Sequence, residues 1–186
     1  MTSTLQWCLA AVFCTAAFFT ADALWIPAKA VLAQRLIERA WQRSLDGSPQ
    51  ARPWPWADTH PVAILEVPRL GVRQFVLAGA SGRNLAFGPT AVTPVGGRDV
   101  ILSGHRDTHF RFLQELTSGD VLRLILPGRT AEFRVRFLEV LDSAKLELVL
   151  DDSASRLTLL TCFPFDALSA GGSQRYVVTA VPERGG

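Results

Sequence analysis

Three side chains with complementary chemistry stand at the ends of apolar runs in this 186-residue chain. Cys162 closes Leu157-Thr158-Leu159-Leu160-Thr161-Cys162. His105 follows Val100-Ile101-Leu102-Ser103-Gly104. Arg175 opens Arg175-Tyr176-Val177-Val178. A thiol, an imidazole and a guanidinium at one spot are a nucleophile, a proton-transfer group and an anion stabiliser, the parts of a covalent acyl-transfer site. In such a site the thiolate, not the thiol, is the attacking form of the sulfur. His105 can hand a proton to a leaving group and take one from the next nucleophile. Arg175 keeps its charge and can face the oxyanion or hold a substrate backbone.

The elements that must position these groups are short strands. Runs rich in Val, Ile, Leu and Phe predict strands at Pro61–Val67, Arg73–Leu77, Asp99–Ser103, Val121–Leu126, Ala131–Val140, Arg156–Thr161 and Arg175–Val181. Short helical turns fit Ser81–Phe87 and Phe110–Leu116. Punctuation such as Gly88-Pro89, Gly119-Asp120, Pro127-Gly128 and Gly171-Gly172 separates them. Many short strands without alternating long helices predict a mainly β domain, a barrel or a sandwich, over residues 57–186.

Three further segments precede that domain. Residues 1–27 hold an apolar run, Leu5 to Ala21, resumed after Asp22 as far as Ile26. It is near the lower length limit for a spanning helix, with Trp7 and Trp25 placed for the two interfaces. We expect a membrane anchor, with a cleaved signal as the alternative because Ala21-Asp22-Ala23 has the small-x-small form. Residues 28–45 repeat apolar positions at helical spacing (Val31, Leu32, Leu36, Ile37, Trp41, Leu45), an amphipathic helix starting after Pro27. That helix fits the membrane surface or the domain surface equally. Residues 46–56, rich in Gly, Ser and Pro, read as a linker.

Several classes are excluded or disfavoured. Net charge is +2, from 19 Lys and Arg against 17 Asp and Glu. That balance, without basic runs, argues against a nucleic-acid partner. Cys8 and Cys14 lie in the apolar segment, so the remainder cannot form an internal disulfide, and no Cys-x-x-Cys suggests zinc. The bland alternative for Cys162 is a small core residue. His105 and His109 are four apart with Asp107 between, but the preceding run reads as strand and no third ligand is evident. We expect no metal, with Asp107 and His109 shaping the loop beside His105. Glu147, Asp151 and Asp152 in the connection Asp142–Ser155 are too few and irregular for calcium, so no cofactor is expected. His60, before Pro61, reads as exposed. Phe163, Pro164, Phe165 and Leu168 fit the wall of an apolar groove or the core.

Thr158-Leu159-Leu160-Thr161-Cys162 resembles the Thr-Leu-x-Thr-Cys signature of the sortases, membrane-anchored cysteine transpeptidases. Gly104-His105-Arg106 is similar to the histidine motif of that family, and Arg175, thirteen positions after the cysteine, falls where sortases carry their arginine. The Gly-His-Arg-Asp-Thr-x-Phe form looks most like class D and E types and the Gram-negative proteobacterial class. The resemblance covers roughly residues 57–182.

It implies a closed β-barrel of about eight strands and a two-step acyl transfer. Cys162 would cleave a Leu-Pro-x-Thr-Gly-like C-terminal sorting signal on a partner protein. The thioester would then pass to an amine. Thr161 would orient the site or donate its backbone N–H, with Thr158 a further signature residue. The implied location is a bacterial membrane, single-pass, with the catalytic domain extracytoplasmic and facing the periplasm. The cations Lys29, Arg35, Arg39 and Arg43 follow the apolar run and point the other way by the positive-inside rule. Export therefore rests on the resemblance. Rival readings are a thiol peptidase releasing its product to water and a tethered β-barrel binding module.

Overall fold

The computed structural model describes residues 2–144, 155–167 and 172–183, with most side chains of residues 2–27 outside that description. The chain divides into two compact units, Met1–Leu36 and Ile37–Gly186.

A single α-helix, α1 (Thr2–Leu45), covers both segments expected as separate elements. Pro27 does not start a helix; it lies inside one. Its fixed φ is helical, so losing one backbone hydrogen bond need not end the helix. Among the described residues no helix is long and apolar enough to cross a membrane. In the second unit the last turns of α1 bury Ile37, Ala40 and Trp41. The stretch 46–56, read as a linker, carries packing instead. Arg43 donates to the Arg52 carbonyl at 2.7 Å, and Trp54 packs edge-on against Phe87 with centroids 5.0 Å apart.

Eight strands close into a barrel: β1 (Pro61–Val67), β2 (Val72–Ala78), β3 (Thr90–Ala91), β4 (Asp99–Ser103), β5 (Val121–Leu126), β6 (Arg129–Asp142), β7 (Arg156–Cys162) and β8 (Gln174–Pro182). Their order around the barrel is β1-β2-β3-β4-β7-β8-β6-β5. Seven of the eight match the expected runs to within two residues at each end. The two-residue β3 has too little sequence for a periodic signal. Short helices at Gly82–Leu85 (α2) and Arg111–Glu115 fall within the expected turns, and a further turn at Pro68–Leu70 was not expected.

Alternation sorts the side chains. On β7, Leu157, Leu159 and Thr161 are at most 2% exposed and face the interior. Thr158, Leu160 and Cys162 therefore share the outer face, since successive strand residues point opposite ways. The core holds Leu65, Leu102, Phe110, Leu113, Leu122, Leu124, Leu157 and Leu159. Strand β6 serves two neighbours: its first half pairs with β5 and its second with β8, with a register shift between Val135 and Phe137. An irregularity of that kind lets one strand bend round a barrel.

One pairing decides where function can sit. β4 and β7 are parallel, Asp99 opposite Arg156 through Ser103 opposite Leu160. Both are buried on both faces over part of their length, Asp99–Leu102 on β4 and Leu157–Leu159 on β7, as expected for parallel strands. Because they run the same way, the residues that follow each emerge at the same end of the barrel.

Candidate active site

His105 and Cys162 occupy that end. The last register pair is Ser103 with Leu160, so each lies two residues beyond it on adjacent strands. Three hydrogen bonds hold the histidine segment. Gly104 N–H donates to the Leu160 carbonyl at 3.2 Å, and Phe110 N–H donates to the His105 carbonyl at 2.9 Å. The Thr161 hydroxyl donates to the Gly104 carbonyl at 2.7 Å, in a buried setting. Thr161 therefore faces the barrel interior and acts on the loop, while its neighbour Cys162 faces outward. The signature pair Thr-Cys works because adjacent strand residues point to opposite faces.

Arg175 comes from the other side. It is the antiparallel partner of Cys162 on β8. Directly opposed residues share a face, with Cβ atoms about 4.5–5.5 Å apart. Its Nη1 donates to the carbonyls of Gly172 at 2.6 Å and Gln174 at 2.9 Å. The thiol is half-buried and the imidazole exposed, so both can meet a substrate. The arrangement sets a thiol between an imidazole just past the end of β4 and a guanidinium on β8.

The remaining expected residues sort clearly. Thr158 is buried on the face of Cys162 but four residues back, about 13 Å along the strand, so it is not at the site. Asp107 accepts from Arg106 Nε at 3.1 Å. His109 is half-buried, its carbonyl accepting from Gln74 Nε2 at 2.7 Å. Burial holds its imidazole below the ordinary value of 6.5, partly opposed by a backbone hydrogen bond at Ala86, and nearby His105 pushes it further down. His60 is half-buried rather than exposed, because its carbonyl accepts the Ala78 N–H and draws it into the sheet. Burial lowers its pKa too, with Arg52 adding to the effect. Phe165 packs on the core, against Tyr176 at 5.2 Å. Phe163 stacks on Tyr176 at 6.1 Å. With exposed Pro164 they also wall a cavity of about 620 Å³ beside the site, completed by Arg106, Asp107, Arg111, Gln114 and Asp166. The cavity mixes these three apolar residues with five polar or charged ones, while Phe165 also packs on the core. Leu168, and Glu147, Asp151 and Asp152, lie outside the described residues.

Residues 65–183 match the family model for the sortase domain. The chain belongs to the sortase family. Sortase D of Bacillus subtilis (strain 168) is 29% identical over 120 residues, which are 62% of this chain and 60% of that relative. The match thus spans less than two thirds of the relative's own length. Among solved structures, a Clostridium perfringens sortase D5 transpeptidase superposes with a TM-score of 0.65 at 16% identity, covering 82% of this chain and 99% of the other. Listeria monocytogenes sortase A gives 0.59 at 23% identity, covering 67% and 88%. These structural likenesses establish a shared sortase fold.

Two features of this sortase site were not singled out by sequence. Gly104 is one: a Cβ there would lie 2.7 Å from the Phe110 ring, so only glycine lets that fully buried ring pack beneath the histidine segment. The other is Arg106, quoted in the motif but given no role. It is only 7% exposed and reaches across to the backbone after Cys162. A buried arginine beside a strand end has no periodic signature of its own.

Proposed function

We propose that this protein is a cysteine transpeptidase acting on a C-terminal sorting signal of the Leu-Pro-x-Thr-Gly type. The observation that carries the proposal is the register: Cys162 lies between Arg175, its direct partner on β8, and His105, two residues beyond the parallel ladder with β4.

The chemistry follows from that placement. The Cys162 thiolate adds to the carbonyl carbon of the threonine–glycine amide, and charge moves onto the carbonyl oxygen. Arg175 stabilises that oxyanion, or holds the substrate backbone so that it forms in place. Protonated His105 gives its proton to the leaving nitrogen, the C–N bond breaks, and a thioester remains on sulfur. An incoming amine then attacks the thioester carbonyl. Neutral His105 takes its proton, the C–S bond breaks, and thiolate is regenerated. No redox partner or cofactor is required.

We further propose that residues 1–27 tether the protein to a bacterial membrane with the barrel outside the cytoplasm. The apolar run from Leu5 and the bracketing Trp7 and Trp25 support this, against the finding that no described helix is long and apolar enough to cross a membrane. Trp7 and Trp25 are exposed, and Lys29 Nζ lies 4.6 Å from the Trp25 ring centroid.

The test incubates the purified full chain with a Leu-Pro-x-Thr-Gly-type peptide and a small amine, with products read by mass spectrometry. An amine-joined product, lost in Cys162→Ala and lowered by orders of magnitude in His105→Ala, is expected. Free acid alone would instead make it a thiol peptidase. Absence of any adduct on Cys162 with a panel of sorting peptides would favour a tethered binding module.

A further inference from the structure

The loop that follows Cys162 leaves the barrel before β8 begins, and its residues 163–167 take a defined shape there. Arg106 is built to impose that shape. Its Nη1 donates to the Pro164 carbonyl and its Nη2 to the Ala167 carbonyl, both at 2.7 Å. These partners lie 58 and 61 residues away in sequence. The guanidinium is almost wholly enclosed, and the neighbouring Asp107 carboxylate offsets its charge. Two short charge-assisted bonds from a planar fork to two carbonyls define distance and angle together.

The position of Arg106 in the chain gives this clasp its consequence. It is the residue after His105, and Pro164 is the second residue after Cys162. The backbone of Gly104 and His105 is itself tied to β7 and to Phe110, as described above. We infer that Arg106 is a positioning residue that locks the loop after the nucleophile to the histidine segment, so that thiol and imidazole keep one mutual geometry through both transfer steps. This rests on the transpeptidase reading for its catalytic consequence, but the clasp itself does not.

The arrangement also explains why a lysine would be a poor substitute. An ammonium is a point donor on a flexible stem and cannot hold two carbonyls in a fixed plane. The aromatic contacts of Phe163 and Phe165 with Tyr176 would still hold the loop near β8, so the loop should loosen rather than leave.

The full chain is compared with Arg106→Met, which keeps length and packing, and Arg106→Lys, which restores a charged donor. Two readouts are taken: steady-state kinetics with a sorting peptide and amine, and hydrogen exchange resolved to the amides of Phe163 and Ala167, which donate to the Gln174 and Pro164 carbonyls, and to those of β5. In the Met variant we expect kcat to fall at least about tenfold with KM within about threefold, since misplacement by an ångström acts on the reacting geometry. Exchange at Phe163 and Ala167 should rise at least about tenfold while β5 is unchanged. The Lys variant should fall between. Unchanged exchange at Phe163 and Ala167 in the Met variant would overturn the clasp. Raised exchange with kcat within twofold of the parent would overturn the positioning role. A parent protein inert toward every sorting peptide would overturn the transpeptidase reading, and with it the catalytic role, leaving exchange to decide the clasp alone.

Discussion

Replacing Gly104 with alanine should disable the site through packing alone, without touching a reacting group. The added Cβ would meet Phe110 ring carbons at 2.7, 2.8 and 2.9 Å, where ordinary contact begins at 3.4 Å. Something must therefore give by about 0.7 Å, because carbon–carbon repulsion is steep inside the contact distance. Phe110 cannot yield easily: it is fully buried and its N–H holds the His105 carbonyl. Overpacking of this kind costs about 1–3 kcal/mol. Displacement of the histidine segment by a large fraction of an ångström should lower kcat by about 10- to 100-fold. The second variant Phe110→Leu removes the ring that the methyl strikes. Alone it costs stability by leaving a void, but in Gly104→Ala it should restore part of both losses. The four proteins form a cycle, read by thermal unfolding and by the peptide–amine transfer assay. Additive losses, or a Gly104→Ala protein within threefold of the parent in kcat, would refute the packing argument.

Further outcomes follow from other contacts. Thr161→Val should cost about 1–3 kcal/mol, because the Gly104 carbonyl loses a buried donor, and Thr161→Ser should recover most of it. Chemical denaturation measures both. At the far end of the same two strands, Arg156 grips Asp99 through Nε at 2.8 Å and Nη2 at 2.6 Å, and the Asp99 side chain is only 2% exposed. Arg156→Ala should cost about 3–5 kcal/mol of stability, because it strips a buried carboxylate of this bidentate partner. Its folded fraction should retain kcat. Acid should destabilise the fold in two stages. His60 and His109 have folded pKa values below their ordinary 6.5, so their contribution is full above that value and is lost as pH falls through the folded values. Asp120 is held below its ordinary 3.8, chiefly by hydrogen bonds from Arg69, so its contribution is present above 3.8 and is lost at lower pH still. Unfolding midpoints between pH 7 and 5 should fall less steeply in His109→Gln than in the parent.

Most of the barrel was legible because strand residues alternate or run apolar over five or more positions, and turn residues separate them. Pro61–Val67, Asp99–Ser103 and Val121–Leu126 were expected with their observed bounds. The candidate groups were legible too: a cysteine after Thr-Leu-Leu-Thr, alone in residues 57–186, and a histidine and an arginine each at the end of its own apolar run. What a one-dimensional pattern cannot carry is adjacency between distant strands. That β4 lies beside β7, and parallel to it, follows from closing the barrel, and it alone brings residues 105 and 162 to one end. The same holds for Thr161, whose inward hydroxyl acquires a purpose only against Gly104, and for Arg106, whose partners are some sixty residues away. Local sequence sets which residues can form strands and which groups can react. Only the packed sheet sets which of them meet, because hydrogen-bond register and side-chain contact are properties of two segments at once.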